Sequence, residues 1–212
     1  KYKIKKFIFL STIKVNGEFS EVNKPFTIKD KANPQNIYSV TKYKIENMLN
    51  SLYTNRKLSL VIIRPPIIYG PYVKANFKSM IQMTKLNIPL PFKNLNNKRS
   101  FVSTDNLSDL ILKVVDCKDY LFETFFVSDE NDISTNELIT KISVLCNKKI
   151  ILFNLPILNI GFLLRLICLK KYLDKMYLNL QLDIKYTKET MRWEPKYTMD
   201  YALKKTIASH TK

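Results

Sequence analysis

Apolar residues along this chain fall into two patterns. Phe7-Ile8-Phe9-Leu10 and Leu58-Ser59-Leu60-Val61-Ile62-Ile63-Arg64 are short, nearly unbroken runs, as expected of strands covered on both faces. Elsewhere the apolar positions recur at three- and four-residue spacing, which predicts helices. The clearest helix runs from about Tyr38 to Tyr53, with Val40, Ile45, Met48, Leu49 and Leu52 as its apolar set. Further helices are predicted at about 77–85, 105–115, 135–146 and 199–208, and further strands at 124–127 and 150–153. Ser103-Thr104-Asp105 and Asp132-Ile133-Ser134 offer capping side chains for two of these helices. Gly17, Pro25 and Pro34 punctuate a loop over 11–37, Pro65-Pro66 closes the second strand, and Gly70-Pro71 marks a turn.

Strand–helix–strand alternation implies an α/β fold with a doubly wound, mostly parallel sheet. Residues 1–72 are expected to form the sheet-bearing part. Prolines between 65 and 91 mark where the chain leaves the sheet, so residues 73–212 are expected to build mainly a smaller lobe. A segment near 100–130 should return to the sheet.

Charge adds less than its size suggests. The 212 residues carry 35 Lys and Arg against 18 Asp and Glu, a formal net charge of +17. A basic surface is the footprint of phosphate binding, yet only Arg56, Arg64, Arg99, Arg165 and Arg192 are arginines. Lysines scattered along the whole chain lack the bidentate fork that base and phosphate recognition uses, which argues against a nucleic-acid partner. Cys117, Cys146 and Cys168 are widely spaced and odd in number, as expected of a reducing cytoplasm. A single histidine, His210, near the end of the sequence argues against a histidine metal site or triad. The apolar run from Ile150 to Leu169 is broken by Asn154, Pro156, Asn159 and Arg165, so a short strand followed by an amphipathic helix is expected rather than a membrane span.

Candidate chemistry begins at Tyr38 and Lys42, four residues apart and therefore on one helix face. An ammonium beside a phenol favours the phenolate, and a phenol so tuned can act as general acid or base at a sugar hydroxyl. Spacing alone carries nothing, because Tyr2–Lys6, Tyr53–Lys57 and Tyr201–Lys205 share it. Context separates them. Ser11 and Thr12 follow the carboxyl end of the first strand, and Pro65-Pro66-Ile67-Ile68-Tyr69-Gly70-Pro71 follows that of the second. Ligands bind at that edge of open α/β sheets.

The segments Phe7–Glu18, Tyr38–Lys42 (Tyr-Ser-Val-Thr-Lys), Ile62–Pro71, Lys74–Phe77, Arg99–Leu107 and Arg192–Pro195 occur in an order that resembles the extended short-chain dehydrogenase/reductase family, in its NAD-dependent epimerase/dehydratase group. Within it, the chain is similar to the branch that includes UDP-hexose 4-epimerases and UDP-4-keto-sugar reductases. The resemblance implies a Rossmann-like fold, NAD as cofactor (NADP remaining open), a UDP-sugar substrate and a homodimer. It implies Thr12, Tyr38 and Lys42 as the catalytic set. Ser11, Tyr38, Lys42, Pro65, Ile67 and Ile68 would line the nicotinamide side, and Thr12, Asn76 and Arg99 would face the nucleotide sugar. Each has a plainer reading: Thr12 as a loop cap, Asn76 as a helix cap, Arg99 as a surface ion pair. The family grips its dinucleotide through a glycine-rich turn after its first strand. Gly17, Gly70 and Gly161 are the chain's three glycines, and they form no such turn. The expectation is therefore an incomplete sheet, with roughly a hundred further residues, one mononucleotide-binding half, upstream. A non-catalytic fragment is the competing expectation.

Overall fold

Both long apolar runs become strands in the computed structural model, which describes residues 4–53, 58–154 and 176–210. Strand β1 spans Lys6–Leu10, and a short 3-10 turn, Ile13–Val15, follows it. Helix α1 covers Ile37–Tyr53, β2 Ser59–Arg64 and β3 Ile67–Tyr69. Next come α2 (Ala75–Lys85), β4 (Phe101–Ser103), α3 (Thr104–Asp116) and β5 (Phe122–Phe126). The chain continues through α4 (Thr135–Leu145), α5 (Lys185–Met191) and α6 (Met199–Ala208).

β1, β2 and β5 form one parallel sheet in that order. Lys6 pairs with Ser59 and Leu10 with Ile63 on one side of β2, while Leu60 pairs with Phe122 and Arg64 with Phe126 on the other. All three strands therefore deliver their following loops to the same rim. β2 is central, with Leu60 to Ile63 buried. β1 differs from the expectation of full coverage: it is half-buried, and Leu10 is 40% exposed. Among the described residues β1 has β2 as its only strand partner, so one edge lacks a neighbour.

β3 and β4 form a second parallel pair, Ile67 with Phe101 through Tyr69 with Ser103, which the sequence pattern did not predict. Its three-residue strands alternate faces. Val102 and Ile68 join the core built with Val61, Ile63 and Leu110 under the first sheet. Phe101, Tyr69 and Ile67 join another built with Phe77, Phe92, Leu138 and Leu203. The ribbon thus divides two cores, and β5 returns the chain to the first sheet. At Gly70 a Cβ would fall 2.2 Å from Thr104 Oγ1, so this close approach of β3 to the start of α3 requires glycine.

Caps explain where the helices begin. Asn36 Oδ1 accepts from the Ser39 amide at 2.9 Å, and the Asn36 amide donates to Ser39 Oγ at 3.2 Å, closing a reciprocal cap at α1. Ser103 caps α3, and Ser134 with Glu137 forms a capping box at α4. The apolar set expected of α1 does not all face inward. Met48 and Leu52 are 62% and 53% exposed, while Ser39 and Glu46 are the buried positions. The strand expected over 150–153 is a single bridge between Leu152 and Leu90. Cys168 and the helix expected after Pro156 lie outside the described residues. Among the described residues no helix is long and apolar enough to cross a membrane.

Candidate functional site

The rim of the first sheet collects part of the set named from sequence: Ser11, Thr12, Tyr38, Lys42 and Pro65. Just past β1, the Ser11 amide donates to Ile63 O at 2.8 Å and the Ile13 amide to Pro65 O at 2.9 Å. These bonds hold the 11–13 loop against the exit of β2, so Ser11, Thr12 and Pro65 become neighbours. Ser11 and Thr12 are buried, and Ser11 Oγ has no hydrogen-bond partner among the described residues. Thr12 Oγ1 accepts from the Lys14 amide at 3.3 Å, so its plainer role as a cap is real.

α1 crosses this rim. Lys42 Nζ donates to the Leu10 carbonyl at 2.8 Å, lies 4.7 Å from the centre of the Phe9 ring and 5.9 Å from that of Tyr38. Tyr38 is 55% exposed on the first turn of α1 and opens onto a recess of about 780 Å³ that Asn36, Val40 and Thr41 also line. The pair Tyr201–Lys205 is a useful control. Its ammonium is 5.3 Å from its ring, yet Lys205 Nζ is held by Asp105 at 2.8 Å. Lys42 is instead fixed by a neutral carbonyl beside the loop that carries Ser11 and Thr12. Tyr2 and Lys57, from the other two pairs, lie outside the described residues.

Arg99 lies deeper than a surface ion pair. It is 6% exposed, its backbone bridges Ile133 and Leu180, and its guanidinium donates to Leu178 O at 2.7 Å. Burial lowers its pKa to about 10, with nearby Glu18 pulling the other way. Arg99, Ile67, Lys14 and Glu18 line one small cavity of about 80 Å³. Ile68, on the opposite face of β3, packs against the first core. Asn76 occupies the second position of α2 and is not its cap, since Lys74 holds that place; its side chain lies outside the described residues.

Four further polar residues belong to this region and were missed. Glu18 accepts from Lys14 Nζ at 3.0 Å and from Asn36 Nδ2. Arg64, the last residue of β2, binds Glu46 of α1 through Nε at 3.0 Å and through its NH2 nitrogen. Its NH1 nitrogen donates to Asn16 Oδ1 at 2.9 Å. A signal for Glu46 was available: it lies four residues beyond Lys42 on a face turned to the sheet, and an arginine ends the most apolar strand.

Comparisons with known proteins bear on the family and the fold. The NAD dependent epimerase/dehydratase family matches over residues 1–122. A UDP-glucose 4-epimerase of Vibrio cholerae is 39% identical over 204 residues, covering 96% of this chain. The chain spans 62% of the length of that curated relative. The fold is similar to that of a UDP-glucuronic acid 4-epimerase of Bacillus cereus solved in complex with NAD, with a TM-score of 0.76 and 19% identity over 96% of this chain and 60% of that one. It is also similar to a UDP-glucose 4-epimerase of Thermotoga maritima solved with UDP-glucose, with a TM-score of 0.73 and 21% identity over 97% of this chain and 63% of that one.

Proposed function

This chain belongs to the NAD dependent epimerase/dehydratase family, and from that premise we propose that the protein interconverts UDP-hexoses at C4 through a transient 4-keto sugar. One observation carries the reading: Lys42 is fixed at the end of β1, with the Tyr38 ring on one side and the buried Ser11–Thr12 loop on the other. The 39% identical UDP-glucose 4-epimerase supports the choice of substrate.

The residues present fit the nicotinamide end of NAD. Ser11 Oγ is a buried hydroxyl with no partner among the described residues, and a carboxamide or ribose hydroxyl would satisfy it. Lys42 has three donor hydrogens and gives one to Leu10 O, leaving others for a ribose. Tyr38 and Pro65 complete the set that would hold this end, whereas Ile67 and Ile68 lie on opposite faces of β3, one at the Arg99 cavity and one against the first core. When bound, NAD supplies a reversible two-electron acceptor for the C4 carbon.

The chain supplies the rest. Thr12 orients the C4 oxygen, Tyr38 as a phenolate takes its proton and returns it after the keto sugar has turned over, and Lys42 faces the negative charge that Tyr38 carries before it takes the proton and again after it returns it. Arg99, with Asn76 from α2, meets the diphosphate, where a planar guanidinium matches two oxygens at once. The two cores divide this labour: the first sheet carries cofactor and proton chemistry, and the second core carries the nucleotide.

Tyr38→Phe tests the reading. In the intact gene product it should lower kcat for UDP-glucose by about 10²- to 10⁴-fold and leave the melting temperature unchanged. Near-normal turnover defeats the assignment. Turnover only of a 4-keto sugar, with stoichiometric consumption of NADH or NADPH, would make the protein a reductase using the same residues.

A further inference from the structure

Arg64 and Glu46 form a buried ion pair with side chains 11% and 2% exposed. Such a pair is a poor source of stability, because desolvating two charges offsets most of their attraction. Its geometry is more informative. One guanidinium directs Nε and NH2 at the two oxygens of Glu46, and NH1 at Asn16 Oδ1. Three segments therefore meet at one planar group: the end of β2, the middle of α1, and the loop after β1.

Those segments also carry the proposed chemistry. Tyr38, Lys42 and Glu46 follow one another at four-residue intervals along α1, so they share a broad face, and Glu46 lies about 6 Å along the axis from Lys42. Asn16 is 3% exposed and four residues beyond Thr12. Asn16 Nδ2 also donates to Asp30 O at 3.4 Å, which orients the amide toward Arg64. Lys42 ties the first half of α1 to the end of β1, and Tyr53 at the far end of the helix stacks on Phe7. Between these two contacts, Glu46 ties the middle of the helix to the end of β2 through a charged fork.

We infer that Arg64 is a positioning residue for the proposed reaction: through Glu46 and Asn16 it fixes the Tyr38–Lys42 face of α1 against the loop that carries Thr12. This rests on the reading of Tyr38 as acid and base. A lysine at position 64 would keep the charge but lose the fork that grips both partners. Misplacing a reacting group by about 1 Å can cost about 100-fold in rate, so a small pivot of α1 is enough.

The test separates positioning from stability. Replacing both charges, Arg64→Met with Glu46→Met, leaves no orphaned ion and should keep the fold. The expected result in the intact gene product is a melting temperature close to wild type, a KM for UDP-glucose within about twofold, and a kcat lowered about tenfold or more. Arg64→Lys should fall between this variant and wild type. A folded double variant with wild-type kcat overturns the inference, as does a loss confined to KM. If the double variant does not fold, Arg64→Lys is judged by the same two constants. Tyr38→Phe, assayed alongside, distinguishes the failures. An active Tyr38→Phe removes the acid–base reading, whereas an inactive one beside a fully active double variant removes only the role of Arg64.

Discussion

Tyr38 and Tyr69 carry the same phenol into opposite surroundings. Tyr38 is 55% exposed, at the mouth of an open recess, with the Lys42 ammonium 5.9 Å from its ring. Tyr69 is 1% exposed and donates to Asp129 Oδ2 at 2.6 Å. Asp129 also receives the Ser103 amide, Ser103 Oγ and Asn106 Nδ2. Burial first, and then the charge of Asp129, push the ionisation of Tyr69 far above the ordinary tyrosine range. An ammonium stands over the ring of one phenol and a carboxylate accepts from the hydroxyl of the other, so one functional group meets opposite charges. Tyr69 is built to keep its proton and hold the β3–β4 ribbon to the segment after β5; Tyr38 stands where a substrate can reach it.

Crossed substitutions give the largest effect that could break this contrast. Tyr38→Phe should remove about 10²- to 10⁴-fold of turnover at little cost in stability. Tyr69→Phe should do the reverse, leaving kcat per folded molecule intact while denaturant titration shows a loss of about 1–3 kcal/mol, because a buried acceptor loses a donor. If both variants lose turnover equally, the division of roles is wrong.

Gly70→Ala sharpens the structural half at a similar or smaller scale. Its new methyl meets Thr104 Oγ1 at 2.2 Å, and overpacking of this kind costs about 1–3 kcal/mol. Gly70→Ala combined with Thr104→Ser, which removes a methyl 2.8 Å from the new Cβ, should recover part of that loss in the same titration.

The smallest effect is a pH dependence. Burial raises the pKa of Asp109, but hydrogen bonds from Lys196 and Trp193 outweigh it and hold the carboxyl below its ordinary value. A depressed folded pKa contributes stability above the unfolded value of about 4, and that contribution is lost as pH falls through the folded one. Thermal melts followed by Trp193 emission should therefore weaken below about pH 4, and Asp109→Asn should flatten that dependence. An unchanged slope would mean that the Asp109 contacts add nothing to folding.

What the sequence could disclose followed the length of each signal. β2 and α1 were legible because an unbroken Val-Ile-Ile run and a full helical period leave few alternatives. β3 and β4 were not, since three residues between prolines, or after Arg-Ser, hold no period to read. Residues 150–153 had strand composition, yet Leu90 meets only one of them in a bridge, so composition overstated the pairing. Among the candidate site residues, Ser11, Thr12, Tyr38 and Lys42 were within reach because they follow strand ends or a helix spacing. Arg64 and Glu46 escaped because their meaning lies in a contact across the helix–sheet interface. Met48 and Leu52 misled for the same reason: a glutamate took the inward place on α1 because an arginine awaited it.

The shared register of β1, β2 and β5 has a consequence for how this protein could be altered. Leu10 pairs with Ile63, and Arg64 with Phe126, so the ladder ends along one line while the loops continue beyond it. Side chains in the loop that follows β1 can therefore change with the β1–β2–β5 ladder left untouched. The rim can drift in sequence while the frame beneath stays the same.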